Sequence, residues 1–223
     1  MRDATLVCGT NGSLIPRSVS VSRGSCGRSS AKAAEALCQH DTVVLAATTA
    51  FGKTVVAAHM IAARGCNALV LVHRRRLLDQ WVARLRAFLD LPPGGVGVIH
   101  GGKKKSAGSI DIALMQSLIR KGVVSDLVAN YGHLIVDECH HLPAVSFEAI
   151  AREAKARYVL GLTATVARKD GHHPIIFMQC GPMRYRVNTK KQAAERPFEH
   201  KVLFRQTNFR AARSMPGVQS RSG

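Results

Sequence analysis

The segment with the clearest chemistry is a short loop that ends in Gly52-Lys53-Thr54, between a predicted strand and a predicted helix. Backbone N–H groups at a helix start attract anions, and a lysine and a hydroxyl beside them suit phosphate and Mg²⁺. The spacing matches the phosphate loop GxxxxGK[ST], except that Ala47 replaces the first glycine. A chance Gly-Lys-Thr at a helix start is the alternative. The predicted ligand-binding residues are Ala47, Thr48, Thr49, Ala50, Phe51, Gly52, Lys53 and Thr54.

A second site is the carboxylate pair Asp137 and Glu138, which follows the apolar run Leu134–Val136. Two acids at the end of a buried strand are costly without a cationic partner, and Mg²⁺ is such a partner. We expect Asp137 to hold the ion through water and Glu138 to orient or deprotonate an attacking water. A solvated acid pair that caps the next helix is the alternative. The two sites together indicate nucleotide hydrolysis more strongly than either site alone.

Alternating strand and helix patterns place both sites in one fold. Continuous apolar runs predict strands at 42–47, 68–72, 96–99, 110–114, 134–136 and 158–162. Helical patterns cover about 31–39, 54–64 and 75–89. This alternation predicts an α/β fold with a mainly parallel sheet that helices cover on both faces. Ligands of such sheets bind beyond the carboxyl ends of the strands, where both sites fall.

The two ends of the chain depart from this pattern. Residues 1–30 are rich in Ser, Gly and Arg, have few large apolar side chains, and are predicted to lack fixed structure. We assign residues 31–185 to one nucleotide-binding domain. Residues 186–223 form a basic extension, in which Val202–Phe204 is one more strand candidate.

Charge is the least ordinary feature of the composition. Thirty-two Lys and Arg against fourteen Asp and Glu give a net charge of +18. Such a field favours nucleic acid as a partner, and a solvated basic surface is the alternative. The six cysteines include no CxxC pair, so we expect no structural zinc site. Without a membrane-spanning apolar run or a secretory signal, the cytoplasm is the expected compartment, with no membrane contact.

Three further stretches complete an ordered set of motifs. They are 71–81, Gly101-Gly102 with 110–118, and 161–165, which reads Gly-Leu-Thr-Ala-Thr. With them, the chain resembles the first RecA-like lobe of superfamily-two DEAD/DEAH-type helicases over about residues 32–190, and Asp137–His140 is a DECH version of the box. The phosphate loop and residues 174–182 are most similar to bacterial type III restriction res-subunit-like proteins and to conflict-system helicases linked to a primase domain.

The resemblance implies a P-loop NTPase that uses ATP and Mg²⁺. It gives catalytic roles to Lys53, Asp137, Glu138 and His140, and places Thr54 and Asp137 at the metal. The residues implied to contact a nucleic-acid backbone are His73, Arg74, Arg75, Gly101, Gly102, Gln116 and Ser117. Those implied to couple hydrolysis to strand movement are Thr163, Ala164 and Thr165, with His140 as their bridge to the metal site.

Some of these roles have simpler alternatives. Arg74–Arg76 are also consistent with a solvated helix start, and His140 with core packing. Because no motif reads base edges, we expect backbone recognition without sequence specificity. The resemblance implies DNA rather than RNA as the polymer. The stretch upstream of the phosphate loop offers no aromatic and glutamine pair to read adenine, so the preference for ATP over GTP rests on the family.

Length limits what this chain is expected to do alone. A second RecA-like lobe, whose arginine finger is worth about 10³- to 10⁵-fold in rate, does not fit after Thr165. We therefore expect slow hydrolysis and no unwinding by this chain, and partners such as a chain that supplies the second lobe, or nuclease or primase subunits. The favoured hypothesis is the ATP-binding lobe of a DNA helicase or translocase in a restriction or defence system. The alternative is a truncated, nearly inactive lobe that binds nucleic acid.

Overall fold

The computed structural model describes Val21 and residues 27–48, 51–101, 103–141, 144–164 and 178–187. Within these ranges the chain forms one eight-stranded sheet, a separate two-stranded hairpin and four α-helices. Strands and helices alternate along most of this length, as the apolar patterns predict.

Seven strands of the main sheet are parallel, and an antiparallel strand lies at one edge. The strands are β1 (Thr42–Ala46), β2 (Ala68–Val72), β3 (Val96–His100), β4 (Lys103–Lys105), β5 (Ile110–Leu114), β6 (Ile119–Arg120), β7 (Val123–Val124), β8 (His133–Val136), β9 (Tyr158–Thr163) and β10 (Met183–Arg186). Their order in the main sheet is β10-β1-β9-β8-β2-β5-β3-β4, and only the β3–β4 pair is antiparallel. Strands β6 and β7 pair with each other as the hairpin.

Helices flank the sheet. They are α1 (Arg28–Cys38), α2 (Lys53–Arg64), α3 (Arg75–Phe88) and α4 (Ala144–Glu153), with 3₁₀ turns at Met115–Ser117, Asp126–Asn130 and Cys139–His141. In the part of the chain that the structure describes, no helix is long and apolar enough to cross a lipid bilayer.

Two apolar layers explain why the central strands read as continuous hydrophobic runs. Every residue of β2 and β8 is buried. Alternate β2 residues face opposite layers, so Val70 joins the layer with α1, α2 and α3, while Leu69 and Leu71 join the layer with α4. A parallel sheet covered on both faces requires this composition. The arrangement leaves the ends of the strands as the polar surfaces where a ligand can bind.

The predicted α/β fold is confirmed, and each of the six predicted strands ends within one residue of its expected limits. Three features differ from the predictions. Helix α1 begins at Arg28, inside the segment expected to lack fixed structure. Strand β10 crosses the expected domain limit at residue 185, and alternation of half-buried and basic side chains lets this edge strand keep a solvated face. The hairpin was not predicted, and Val202–Phe204 lies outside the described residues.

Candidate nucleotide site and nucleic-acid face

The loop before α2 leads into a helix N-terminus that can meet an anion. Helix α2 begins at Lys53, directly after Gly52, whose φ of 91° is left-handed and suits glycine. Among the described residues no side chain caps this N-terminus, and the first turn carries no acid. Ser30 Oγ donates a 2.9 Å hydrogen bond to the carbonyl oxygen of Phe51, which ties the loop to α1. Such a helix start favours phosphate.

The backbone shows how Ala47 can replace the first glycine of the phosphate-loop pattern without strain. Among the described non-glycine residues, only Lys121 and Glu138 have positive φ, so Ala47 does not need the backbone freedom of glycine. Its side chain is buried in the apolar layer, and its N–H donates a 2.9 Å hydrogen bond to the carbonyl oxygen of Thr163. Of the other predicted loop residues, Thr48 is described, whereas Thr49 and Ala50 lie outside the described residues.

Lys53 pairs with Glu138 across the end of the sheet. Lys53 Nζ lies 2.8 Å from Glu138 Oε1, and the two side chains are 7% and 19% exposed. Glu138 has a left-handed φ of 46°, a conformation that is unfavourable for a side chain of this size and is found at functional sites. Its second oxygen, Oε2, is buried and accepts no well-formed hydrogen bond from the described residues. Glu138 therefore keeps acceptor capacity for a water molecule.

Asp137 lies at the end of β8 and is 7% exposed. Trp81 Nε1 donates a 2.7 Å hydrogen bond to its Oδ2, and the backbone N–H of Glu138 donates one of 3.0 Å to its Oδ1. Burial raises the pKa of Asp137, while the hydrogen bond from Trp81 opposes that rise. Both of these donors are neutral. A buried carboxylate in such surroundings is a favourable place for a divalent cation.

Thr54 brings the hydroxyl that the phosphate loop supplies. It is 7% exposed, and its Oγ1 accepts a 3.0 Å hydrogen bond from Arg84 Nη1 of α3. Neither Arg84 nor Trp81 was predicted to belong to the site. Their spacing of three residues on one helix, directly after the strand that precedes α3, is the signal in the sequence that could have indicated them.

The donor atoms present fit Mg²⁺ bound together with a nucleotide. Mg²⁺ prefers hard oxygen ligands and commonly takes one or two from protein carboxylates, with phosphates and water filling the rest. Thr54 and Asp137 supply such oxygens, and Lys53 supplies the cation for phosphate. No group of three His, Cys, Asp or Glu side chains that could hold a metal occurs in the described ranges.

His140 joins the carboxylates to the end of β9. Its Nδ1 lies 2.9 Å from Thr163 Oγ1 and 3.3 Å from Glu138 Oε2. The predicted bridge between these two groups is therefore present in the geometry. Ala164 follows Thr163 directly, whereas Thr165 lies outside the described residues. The roles of these residues in coupling stay predictions.

The residues predicted to contact nucleic acid lie at the ends of the adjacent strands β2, β5 and β3. Gln116 Nε2 donates a 3.4 Å hydrogen bond to the carbonyl oxygen of His73, and the N–H of Gly101 donates one of 3.0 Å to Ser117 Oγ. These contacts bring the three segments together. Gly102 lies outside the described residues. Arg74 and Arg75 are exposed at the start of α3, which suits phosphate contact and equally suits a solvated helix start.

A groove of about 820 Å³ continues this face. The hairpin β6–β7 forms one wall, and its turn holds Lys121 at φ 51° and Gly122 at φ 79°. Arg120 and Lys121 are exposed there, and Val123 is 70% exposed. The lining residues are Gly101, Gln116, Ser117, Leu118, Ile119, Arg120, Lys121, Val123, Val124, Ser125 and Asp126. The Lys-Gly pair between two short apolar stretches was the sequence signal for this turn, which was missed.

Comparison with protein families gives one match. The model of the family described as "Type III restriction enzyme, res subunit" matches residues 27–168. Among curated proteins, the chain is 30% identical over 172 residues to "DNA 3'-5' translocase XPB2" of Sulfurisphaera tokodaii, which covers 77% of this chain and 38% of the relative. It is 32% identical over 162 residues to "Putative helicase 109L" of Invertebrate iridescent virus 3, and this match covers 70% of this chain and 49% of the relative. The chain thus spans less than half the length of these two relatives.

Solved structures show the same fold. The helicase domain of Hef from Pyrococcus furiosus superposes with a TM-score of 0.63 at 21% identity, over 80% of this chain and 41% of that one. The UvsW helicase from Bacteriophage T4 superposes with a TM-score of 0.57 at 16% identity, over 67% of this chain and 57% of that one. A third structure is the SWI2/SNF2 ATPase core from Sulfolobus solfataricus, solved with double-stranded DNA. It superposes with a TM-score of 0.54 at 17% identity, over 68% of this chain and 35% of that one. These likenesses establish a RecA-like lobe.

Proposed function

Because the chain belongs to the family of type III restriction enzyme res subunits, we propose that it is the ATP-binding lobe of a DNA helicase or translocase. It binds ATP with Mg²⁺, supports hydrolysis and holds a nucleic-acid backbone. The observation that carries this proposal is one cluster at the carboxyl ends of the strands. Lys53, Thr54, Asp137 and Glu138 meet there although they come from two distant segments of the sequence.

Each member of the cluster has a distinct task. The N-terminus of α2 and Lys53 would bind the phosphates, and Thr54 and Asp137 would hold the metal. When bound there, Mg²⁺ would supply charge to neutralise the phosphate oxygens. When Lys53 turns from Glu138 to a phosphate, Oε1 of Glu138 becomes free to accept a proton from water. His140 Nδ1 lies 3.3 Å from Oε2, the second oxygen of that carboxylate.

The nucleic-acid face supports the second half of the proposal. Candidate contacts at three adjacent strand ends and the basic hairpin beside them form one continuous surface, in a chain of net charge +18. Backbone N–H groups, arginines and lysines are common donors to phosphate oxygens. DNA is the proposed polymer because relatives are named as DNA translocases or helicases.

Nucleotide binding tests the proposal directly. Loss of the Lys53 ammonium costs about 2–3 kcal/mol of charge-assisted contact, so Lys53→Ala should weaken the binding of a fluorescent ATP analogue about 30- to 150-fold. Lys155→Ala removes an equal charge from an exposed position after α4 and should bind like the parent chain. Equal affinity of the parent and Lys53→Ala would exclude this site as the nucleotide site.

The net charge also favours a second candidate, a lobe that holds nucleic acid with little turnover. Hydrolysis measured with and without single-stranded DNA separates the two. Stimulation by DNA that Lys53→Ala abolishes supports the ATPase, whereas DNA binding that ignores both nucleotide and this substitution supports the second candidate. A restriction or defence setting, with a second lobe, nuclease or primase subunits on partner chains, stays a prediction. Co-purification of such subunits with the tagged protein from its native cells would test it.

A further inference from the structure

Helix α3 reaches the metal side of the nucleotide site with two side chains. Trp81 and Arg84 lie three residues apart and therefore point to the same side of the helix. Trp81 contacts the carboxylate of Asp137, and Arg84 contacts the hydroxyl of Thr54. Each of the two oxygen groups assigned to Mg²⁺ thus has its own partner on α3.

The Trp81 contact is fixed by burial. Trp81 is 3% exposed and belongs to the apolar layer between the sheet and α2 and α3, so its ring cannot turn away without breaking packing. Its Nε1 donates a 2.7 Å hydrogen bond to Oδ2 of Asp137. An indole N–H is neutral, so it sets the direction of the carboxylate without competing for the place of a cation. Such partners of a metal ligand tune metal affinity.

The Arg84 contact differs from the Trp81 contact in exposure and in charge. Arg84 is exposed, and its guanidinium always carries a positive charge. The guanidinium donates to the Thr54 oxygen at 3.0 Å, while Mg²⁺ on the same oxygen would place two further positive charges within a few ångströms. Like charges at this separation repel strongly near a protein surface. A long exposed side chain can move into solvent to relieve that repulsion.

We propose that Trp81 is a positioning residue that holds Asp137 for Mg²⁺, and that Arg84 is a displaceable cation that occupies the Thr54 hydroxyl until Mg²⁺ arrives. The inference rests on the proposed nucleotide site. Trp81 raises the affinity for Mg²⁺ and Arg84 lowers it. These two effects on Mg²⁺ affinity have opposite signs, which general packing by α3 would not produce.

The test of Trp81 is a Mg²⁺ titration of the full chain in the presence of a fluorescent ATP analogue that is not hydrolysed. Trp81→Phe retains an aromatic ring and removes the N–H. We expect the Mg²⁺ midpoint to rise about tenfold, while affinity for the analogue in excess EDTA stays that of the parent. An unchanged midpoint, or an equal loss of binding with and without Mg²⁺, would overturn the positioning role.

Trp81 also offers a direct signal, since it is the single tryptophan of the chain. Its emission should shift when Mg²⁺ is added to the nucleotide-bound parent chain, and it should not shift in Lys53→Ala. Emission that ignores Mg²⁺ at saturating nucleotide contradicts contact between Trp81 and the metal ligand.

The test of Arg84 uses the same titration. Arg84→Gln removes the charge and should lower the Mg²⁺ midpoint about three- to tenfold. Arg84→Lys retains the charge and should return the midpoint toward the parent. Arg86→Gln is the matched control, because it removes an exposed charge two residues further along α3. A midpoint for Arg84→Gln equal to that of the parent or of Arg86→Gln overturns the displacement.

Failure of this inference differs from failure of the proposed function. If the parent chain binds no nucleotide at any Mg²⁺ concentration, both are wrong. If binding is intact and depends on Lys53, but the Trp81→Phe and Arg84→Gln midpoints match the parent, only this inference is wrong.

Discussion

Each end of the parallel strands buries a carboxylate, and the two carboxylates have different hydrogen-bond partners. The carboxyl edge is the side where the parallel strands end, and the amino edge is the side where they begin. Asp137 lies at the carboxyl end of β8, and Asp111 lies near the amino end of β5. Asp111 is fully buried and Asp137 is 7% exposed. Because burial alone does not separate them, the difference must lie in their partners.

Asp111 has its acceptor capacity filled by its own chain. It accepts hydrogen bonds from Ser106 Oγ at 2.7 Å, from the N–H of Ala107 at 2.7 Å and from that of Gly108 at 3.1 Å, and also from the Tyr131 hydroxyl. The pocket around Asp111 leaves no room for a further group, since a Cβ on Gly97 would lie 1.8 Å from Asp111 Oδ1. This carboxylate holds a loop in place.

Asp137 and its neighbour Glu138 are less completely satisfied. Asp137 accepts two hydrogen bonds from neutral donors, and burial raises its pKa. The nearby cation, Lys53, pairs with Glu138 instead, and Oε2 of Glu138 accepts no well-formed hydrogen bond from the described residues. A buried acid whose partners are complete stabilises the fold, whereas buried acids with spare capacity mark the place where a ligand or water binds.

The largest expected effect is on turnover, at the carboxyl edge. Glu138→Gln removes the group that accepts a proton from water, and we expect single-turnover hydrolysis of labelled ATP to fall about 10²- to 10⁴-fold. Nucleotide affinity should be kept or rise, because Lys53 no longer has a competing carboxylate. A rate within threefold of the parent would show that Glu138 does not act on water, and the contrast with Asp111 would then lose its functional side.

A large effect on stability is expected from Asp111. Asp111→Ala leaves several donors without an acceptor, and we expect the free energy of unfolding to fall by about 3 kcal/mol in urea melts. Nucleotide affinity of the folded fraction should match the parent. Asp79→Ala, at an exposed acid on α3, is the control and should be neutral. Should Asp111→Ala not fold, Asp111→Asn, which keeps one oxygen acceptor, should give an intermediate loss; no loss in either variant contradicts the comparison.

An effect that is smaller per pH unit should appear in the acid stability of the amino edge. His133 is fully buried there, and burial, with help from the charge of Arg64, lowers its pKa to about 3 from 6.5. Between these values the unfolded chain binds one more proton than the folded chain, so stability is lost as pH falls, by about 1.4 kcal/mol per pH unit.

His133→Phe should remove this component and flatten the dependence of unfolding free energy on pH below 6.5. His59→Gln, at a half-buried position on α2, serves as the control and should keep the slope of the parent. An unchanged slope in His133→Phe would mean that the acid sensitivity has another source.

The sequence predicted the functional residues at the carboxyl edge but not the role of Asp111 at the amino edge. The phosphate loop and the acid pair follow continuous apolar strands, so local patterns predicted both their chemistry and their shared edge. Asp111 lies inside a predicted strand, and nothing local shows that a loop and Tyr131 enclose it. The contacts of Trp81 and Arg84 depend on how α3 packs against α2, β2 and β5, which a helical pattern does not specify.

The hairpin β6–β7 was missed for a related reason. Its strands have two residues each, too few for a periodic signal. The structure places its basic turn beside Gln116 and Ser117, so the candidate nucleic-acid face extends beyond the predicted motifs.

The smallest expected effect tests that enlarged face. Lys121→Asn removes a charge and keeps the turn, because asparagine tolerates the left-handed φ of 51° at this position. We expect the affinity for single-stranded DNA to fall about threefold, and the slope of log affinity against log salt to decrease by about 0.7, the value for one phosphate contact. Lys155→Asn removes the same charge near the amino edge and should leave the slope unchanged. If both variants lose affinity equally, net charge rather than the hairpin holds DNA, and the functional surface ends at the predicted motifs.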